Sequence, residues 1–368
     1  LKSGTDPYRT MQLNLAEGDF TEMWQWTVDS AGNLMAQLNA QGYNTQDNIT
    51  YGLFSPDSSS ANPNGATYLC RFSHNQNSAE CLCKGNIWGN AAAITSDGTY
   101  YLGHQGGVQV YKLQAVQNFG YPVGSPVAMT SLTGCGMTQV LQGRGTGGPF
   151  TITAWGLTID DMCTLYGLES GCSGSFMSVW TADGDGNMIE WLPGGQNFAD
   201  FIDFEYESTT YLIGLGTSDA SVWIIMLDGA GDVAGYSYSR VVVDYTASPS
   251  STPRTMSGFG AGYRYGERIY FSSNSGSGIF EVELASLKAV LDKNGLPDGC
   301  AFSMNSGIGA NGKRVCADVS VPGRVATSSV PDPVTLKWVA PAVATTQLND
   351  GFNCPSAADP FTAPRPPS

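Results

Sequence analysis

The stretch Ile49–Asp57 reads ITYGLFSPD: an apolar run carrying an aromatic residue, then a glycine, then a turn. Two later stretches are variants of it, TLYGLESG at Thr164–Gly171 and TYLIGLGTSD at Thr210–Asp219. Each is followed by a second apolar run, and short apolar runs bounded by turn residues are typical of β-strands. The repetition therefore predicts a protein built from similar β units.

Two further units, Ser96–Leu113 and Gly266–Leu284, read as strand, glycine-containing hairpin, strand, with apolar and polar residues alternating. Across the units a tyrosine recurs at intervals of 45 to 65 residues, which fits one four-stranded propeller blade with its loops. The recurring tyrosines are Tyr51, Tyr101, Tyr166, Tyr211 and Tyr270. The repeat also has a longer period: the stretch before Tyr51 resembles one about 160 residues later, and each is followed by one of the two hairpin units.

The N-terminal stretch Trp24–Leu38 resembles only the second half of a unit. A ring can complete such a half with a strand from the far end of the chain, for which Asn311–Val321 is the candidate, and closure removes exposed sheet edges. We therefore predict an all-β fold, a single β-propeller of six or seven four-stranded blades over residues 1–327. The pairing of N- and C-terminal strands is expected to close its ring.

Three other segments receive local predictions. Gln114–Gly148 is either a degenerate blade or a long loop. One helix is predicted at Ala285–Lys293, because Asn294-Gly295 can form its left-handed C-terminal cap. Residues 328–368 are rich in Pro, Ala, Ser and Thr, and are predicted to form an extended tail or linker.

Composition restricts the function. Of the 368 residues 13% are charged, the net charge is −15 and the pI is about 4.4, which excludes nucleic acid and anionic membranes as partners because both require basic patches. No apolar run reaches the roughly 18 residues of a membrane span, so no membrane insertion is expected. The chain begins at Leu1 rather than Met and is expected to be a processed, mature fragment.

Nine cysteines and the sequon at Asn48 indicate a secreted, extracellular or cell-surface protein with disulfide bonds and glycosylation at Asn48. An odd number of cysteines leaves one as a thiol or bonded to another chain. Pairing does not follow from sequence, so alternatives stay open. The local disulfide candidates are Cys163 with Cys172, Cys300 with Cys316, and Cys70 with either Cys81 or Cys83.

The stretches around residues 41–113 and 201–284, from QGYNTQDNITYG to VQVYKL and from FIDFEYESTTYLIGLG to IFEVEL, resemble a known family. They are similar to the secreted β-propeller repeats of unknown function found in large cell-surface and adhesin-like proteins. The resemblance implies an extracellular propeller module within a longer or assembled protein, and it brings no catalytic residues. The cysteines and the Pro-rich tail depart from the plain repeat.

Calcium is the cofactor that the sequence leaves open, although none is required. Asp183, Asp185 and Asn187 have the spacing that begins an EF-hand loop, but position six is Met188 and position twelve is Gly194, which excludes that motif. An oxygen site of another kind could use these three residues and Glu190. Related stretches at Asp29 and Asp228 carry the same pattern of Asp, small residues and Gly, which favours a hairpin turn first.

Catalytic chemistry finds little support. The chain has two histidines, His74 and His104, each predicted at a strand end, and a nucleophilic triad needs a histidine base. Asp160-Asp161 precedes a predicted strand as Asp47-Asn48 does, which favours a turn over a catalytic carboxylate pair. We assign no catalytic residue.

Three functions follow in order of preference. The first is a non-catalytic structural or adhesive module of a filament, appendage, cell wall or matrix, whose partners are copies of itself or other extracellular structural proteins. The second is a carbohydrate-binding propeller, with glycans as ligands and calcium assisting. The third is a propeller hydrolase or lactonase with a metal in the central channel.

Overall fold

The computed structural model describes twenty ranges of the chain. The described ranges are 8–14, 19–26, 37–55, 67–73, 78–85, 87–104, 107–125, 127–145, 180–182, 188–190, 198–216, 221–248, 259–274, 276–292, 304–308, 314–318, 325–328, 334–341, 354–357 and 359.

Nearly all of the regular structure in these ranges is β-strand. The strands are β1 (Tyr8–Asn14), β2 (Asp19–Trp26), β3 (Gln37–Asn44), β4 (Ile49–Ser55), β5 (Tyr68–Ser73), β6 (Ser78–Lys84), β7 (Gly89–Ile94), β8 (Tyr100–His104), β9 (Gly107–Leu113), β10 (Thr138–Gly145), β11 (Trp180–Ala182), β12 (Met188–Glu190), β13 (Phe198–Tyr206), β14 (Thr209–Gly216), β15 (Ser221–Leu227), β16 (Val233–Asp244), β17 (Phe259–Tyr265), β18 (Arg268–Ser273), β19 (Ile279–Val282), β20 (Met304–Ile308), β21 (Arg314–Asp318), β22 (Val325–Ser328) and β23 (Val334–Ala340). Two 3₁₀ turns, at Val116–Asn118 and Met129–Ser131, and the helix α1 (Leu284–Asp292) complete the set.

The strands form four-stranded antiparallel sheets, which we call blades. Blade A is β3 to β6, blade B is β7 to β10, blade C is β13 to β16, and blade D is β17, β18 and β19 with β23. The first strands of the blades lie side by side in the order β3, β7, β13, β17. An all-β fold with repeated four-stranded sheets, as predicted, is therefore what the chain forms, and its arrangement is propeller-like.

The sequence repeat coincides with the blades. The stretches near residues 50 and 210 become β4 and β14, the second strands of blades A and C, and the two hairpin units become β8–β9 and β18–β19. Their tyrosines Tyr51, Tyr101, Tyr211 and Tyr270 are buried, at most 5% exposed. The unit around Tyr166 lies outside the described residues.

The predicted tail differs from the structure at its beginning. Residues 334–340 were expected in the extended tail, but as β23 they are antiparallel to β19, and the same strand pairs in parallel with Val241–Asp244 at the end of β16. Burial alternates strictly along β23, which gives it a buried face of Val334, Leu336, Trp338 and Ala340. Blades C and D are thereby joined into one sheet, and this part of the segment belongs to the folded body.

Ring closure and blade number stay predictions. In the described strands β1 pairs with β2, while β21, within the stretch expected to close the ring, pairs with β20 and β22. Blades B and C are direct neighbours through β7 and β13, although β11 and β12 lie between them in the sequence.

Two local predictions have clear outcomes. The stretch from Gln114 is a long connection with two 3₁₀ turns followed by β10, the outer strand of blade B, so it is a loop and a strand rather than a separate blade. The predicted helix is confirmed with its start one residue earlier, and its face of Leu287, Val290 and Leu291 is buried in the core of blades C and D. No helix in the described ranges is long and apolar enough to cross a membrane.

Candidate functional site

A buried carboxylate joins the first strands of three blades. Asp200, on β13, is fully buried, and its Oδ2 accepts a hydrogen bond from Gly262 N on β17 at 2.6 Å. Its Oδ1 accepts from Phe201 N at 2.9 Å and from Ala92 N on β7 at 3.5 Å. Because buried main-chain N–H groups need acceptors, Asp200 serves as a structural bridge between blades B, C and D.

The first strands surround an axial cavity of about 30 Å³, which Pro355 also lines. A single water needs roughly 10–15 Å³ by this measure, so the cavity accommodates about two waters. Arg264 Nη1 lies 3.0 Å from Asp203 Oδ2 in its wall. Burial raises the pKa of Asp203 above its ordinary value, and the charge of Arg264 opposes that rise only in part. The carboxylate of Asp203 and the guanidinium of Arg264 therefore form an ion pair in the wall of the cavity.

Polar side chains also link neighbouring blades, both along the first strands and at the turns that follow them. Asn39 Nδ2 donates to Asn90 Oδ1 at 3.1 Å, Gln46 Nε2 donates to the Ser96 carbonyl at 2.5 Å, and Ser96 Oγ donates to Glu205 Oε1 at 2.8 Å. These bonds run from blade A to blade B and from blade B to blade C. The polar groups around the axis are thus used to hold blades together.

A C-terminal segment, residues 354–359, lies across the turn ends of blades A and D. Its Pro355 carbonyl accepts from Gly266 N at 2.9 Å, and Asp359 Oδ2 accepts from Arg268 Nη1 at 2.8 Å and from Tyr270 OH at 3.0 Å. Together with the contact of Cys354 with Tyr43 of blade A, these bonds link the last and the first described blades, and Pro355 lines the axial cavity.

Cys354 within that segment carries a thiol, 3.1 Å from Ser356 Oγ. Burial would raise the pKa of this thiol, but hydrogen bonds from Ser356 and Tyr43 outweigh burial and lower it. Tyr43 belongs to β3 of blade A, so the thiol is also a contact between the segment and that blade.

The disulfides resolve one open alternative and add an unexpected pair. Cys70 on β5 is bonded to Cys81 on β6, one of the two partners that the sequence left open. Cys83 is bonded to Cys135, 52 residues further on, in the loop between β9 and β10. The side chains of the other candidates, Cys163, Cys172, Cys300 and Cys316, lie outside the description.

The calcium candidates receive no test from the structure. Asp183, Asp185 and Asn187 lie outside the described residues, and Glu190 ends β12 opposite Trp180 of β11. The antiparallel pairing of β11 with β12 agrees with a hairpin at this stretch. No cluster of three or more acidic, histidine or cysteine side chains suited to a metal occurs in the described ranges.

The turn interpretation holds where related turns are described. Asp228 Oδ1 accepts from Ala230 N at 2.8 Å and from Asp232 N at 2.9 Å, and Asp47 Oδ1 accepts from Ile49 N at 3.1 Å. Asn48 is exposed at the β3–β4 turn with φ +60°, and its Oδ1 accepts from Tyr43 OH at 3.1 Å. The predicted glycosylation position is therefore accessible.

The two histidines have different outcomes. His104 ends β8, where its ring packs edge-on against Tyr111 and burial lowers its pKa. His74, Asp160 and Asp161 lie outside the described residues.

Sequence reasoning missed a buried ion pair on blade A. Arg71 and Glu80 lie opposite each other on β5 and β6, about 5% exposed, and Arg71 Nε and Nη2 donate to Glu80 Oε2 at 2.8 and 2.6 Å. The pair holds the surface loop Phe119–Ser125: Arg71 Nη2 also donates to the Tyr121 carbonyl at 2.6 Å, and Gly124 N donates to Glu80 Oε1 at 2.7 Å. A charged residue within each of two short apolar runs, Arg71 in YLCRF and Glu80 in AECLC, was the available signal.

Comparison with known proteins gives no family. No family model matches the chain, and no curated protein matches it. Among solved structures, the chain resembles a streptogramin B lyase with 10% identity and a TM-score of 0.32, over 82% of this chain and 87% of that one. It also resembles virginiamycin B lyase from Staphylococcus aureus with 10% identity and a TM-score of 0.32, over 86% and 89%. Similarity at this level carries no inference about activity.

Proposed function

We propose that this chain is a non-catalytic, extracellular structural or adhesive module that contributes a propeller-like body to a larger surface assembly. The observation that carries the proposal is the small cavity between the first strands of the described blades. Small-molecule sites occupy roughly 300–1,000 Å³, whereas the axial cavity measures about 30 Å³ and its Asp203 and Arg264 are paired. Among the described residues this cavity is too small for a substrate, which supports a function carried by the outer surface.

An extracellular location is supported by the covalent chemistry. Cys70–Cys81 and Cys83–Cys135 are disulfides, which persist in oxidising compartments. The sequon at Asn48 lies on an exposed turn, and a net charge of −15 favours solubility in such a setting. The resemblance of its repeats to those of cell-surface and adhesin-like proteins is consistent with this proposal. The partners proposed are copies of the chain itself or other extracellular structural proteins.

The test is the state of the full, oxidised chain in solution. Analytical ultracentrifugation and electron microscopy over a range of protein concentrations should show ordered association that persists after chelation of divalent cations. A chain that stays monomeric at every concentration, but binds immobilised glycans in a calcium-dependent manner, would instead establish the carbohydrate-binding alternative. Hydrolysis of a lactone or glycoside panel would overturn the non-catalytic proposal.

A further inference from the structure

We propose that the loop Phe119–Ser125, which we call the clamped loop, is a self-docking surface that binds the same loop of a second copy. The inference rests on the proposed function in assembly and names the surface that would carry it. Its tip presents Tyr121 and Val123 to solvent at 40% and 48% exposure. Tyr121 and Val123 are two of the three large apolar side chains that are exposed among the described residues, and both lie on this one turn.

The loop is held in one conformation by the body beneath it. Arg71 and Glu80 contact the main chain at each end of the tip, at Tyr121 and Gly124. Ser125 N donates to the Pro122 carbonyl at 3.0 Å, and Gly124 has φ +85°, the left-handed value that such a tight turn needs. A surface fixed before association loses little conformational entropy on binding.

The means of fixing the loop is costly. Taking a carboxylate and a guanidinium out of water costs several kcal/mol for each ion, so a buried pair adds little stability by itself. The pair's remaining hydrogen bonds join it to the Tyr121 carbonyl and to Gly124 N, at the two ends of the loop tip. Its clearest consequence is therefore the position of the tip.

A covalent bond also anchors the connection that carries the loop. Cys83 of blade A is bonded to Cys135, ten residues beyond Ser125, and Cys135 N donates to the Lys84 carbonyl at 2.9 Å. The connection is thus tied to blade A before Met129 by Arg71 and Glu80, and after Met129 by the disulfide. Met129 itself packs in the core of blade A, although the strands that the connection joins, β9 and β10, belong to blade B.

Charge identifies a second copy as the occupant. The chain carries a net charge of −15, so two copies repel each other over most of their surfaces. Between Lys112 and Arg144, however, 31 consecutive residues include no charged side chain. Two copies related by a twofold axis can bring this uncharged segment against itself without juxtaposing like charges, and tyrosine is favoured at the centre of such contacts.

The experiment compares self-association of the full, oxidised chain with that of two variants. Tyr121→Ser combined with Val123→Ser removes the apolar tip, and Val242→Ser removes a side chain that is 51% exposed on β16, away from the loop. We expect the double variant to raise the dissociation constant of self-association at least about tenfold. The control variant should leave this constant unchanged. Unaltered thermal unfolding of both variants verifies that they are folded.

Each outcome decides a different question. If the wild-type chain associates and the double variant associates equally well, the self-docking surface is wrong while the proposed function stands. If the wild-type chain does not associate with itself, the self-docking surface is wrong, and the proposed function then requires other extracellular structural proteins as its partners. A photo-cross-linker in place of Val123 gives a direct check: cross-links should join the clamped loops of two copies, and cross-links that map to another surface or to another protein would overturn the inference.

Discussion

Blades A and B differ from blades C and D in what holds them together, although the sequence repeat pairs A with C and B with D. The core between C and D is made of large side chains, among them Phe204, Phe271, Phe280, Leu336 and Trp338. The core of A and B mixes large side chains such as Tyr51 and Tyr100 with small ones, including Ala40, Ala92 and Cys135. Both disulfides in the described ranges lie on the A and B side.

The difference shows that one topology can be stabilised in two ways. Large apolar side chains stabilise the folded state by about 25 cal/mol for each Å² removed from water, which suits blades C and D. Blades A and B bury smaller side chains and a charged pair, and their cross-links destabilise the unfolded chain instead. The two halves should therefore respond to opposite kinds of perturbation.

The largest effect is expected from Trp338→Ala in β23. Trp338 is 7% exposed in the C and D core, and its loss should lower the free energy of unfolding by about 4 to 5 kcal/mol, through lost burial and the cavity left behind. Urea unfolding followed by circular dichroism measures it. Lys337→Ala, on the solvent face of the same strand, should cost under about 1 kcal/mol. Equal small effects would show that residues 334–340 are a dispensable tail.

Removing the disulfides should act mainly on blades A and B. Cys83→Ala with Cys135→Ala opens a loop of 52 residues and should cost about 4 kcal/mol, while Cys70→Ala with Cys81→Ala opens one of 11 residues and should cost about 3 kcal/mol. Urea unfolding should also show a larger m-value for each pair, because the unfolded chain expands. The reverse ranking would contradict the loop-entropy explanation.

Asp200→Ala tests the seam between the two halves. It leaves Gly262 N and Phe201 N buried without this acceptor, and should lower the free energy of unfolding by about 3 kcal/mol. Ser96→Ala, which removes an exposed bond between blades B and C, is the matched control and should cost under about 1 kcal/mol. Hydrogen exchange at Ala92 N, whose bond to Asp200 crosses from blade B to blade C, gives a local readout. An unchanged exchange rate there would mean that Asp200 does not couple the halves.

The smallest effect on stability is expected from the aspartates in the turns. It should be similar in both halves of the molecule. Burial opposes ionisation of Asp97, but hydrogen bonds from Thr95 and Thr99 outweigh it and lower its pKa below the ordinary 3.8. A lowered folded-state pKa stabilises the protein above the unfolded value and loses that stabilisation as the pH falls through the folded-state pKa. Asp97→Asn should therefore be less stable than wild type near neutral pH, and the gap should narrow in acid.

The matching experiment in blade C uses Asp228, whose pKa is lowered by hydrogen bonds from Asp232 N and Ala230 N. Urea unfolding at about pH 6 and about pH 3 should show the same narrowing for Asp228→Asn. A gap that widens in acid for either variant would mean that the carboxylate does not act through these hydrogen bonds.

Sequence reasoning succeeded where the controlling interactions are local. The repeated apolar runs that carry Tyr51 and Tyr270 predicted strands, because short apolar runs bounded by turn residues indicate strands, and both strands are buried along nearly their whole length. Aspartate turns at Asp47 and Asp228 and the helix at Leu284–Asp292 follow from residues only a few positions apart.

It failed where distant segments meet. The prediction of a tail beginning at residue 328 rested on Pro, Ala, Ser and Thr content, which β23 outweighs by burying Trp338 between α1 and β19. Cys83 and Cys135 are 52 residues apart, and nothing in their spacing distinguished that pair from others.

The sequence by itself determined that this is an acidic, repetitive, cysteine-containing β protein, since period, turn chemistry and composition can be read along the chain. Only the tertiary structure decided that Asp200 joins three blades, that Pro355 lines the axial cavity and that Arg71 with Glu80 hold the clamped loop. Each of those contacts joins residues whose proximity depends on the packing of whole blades. A period of two specifies which residues face inward, but not which distant residues they meet.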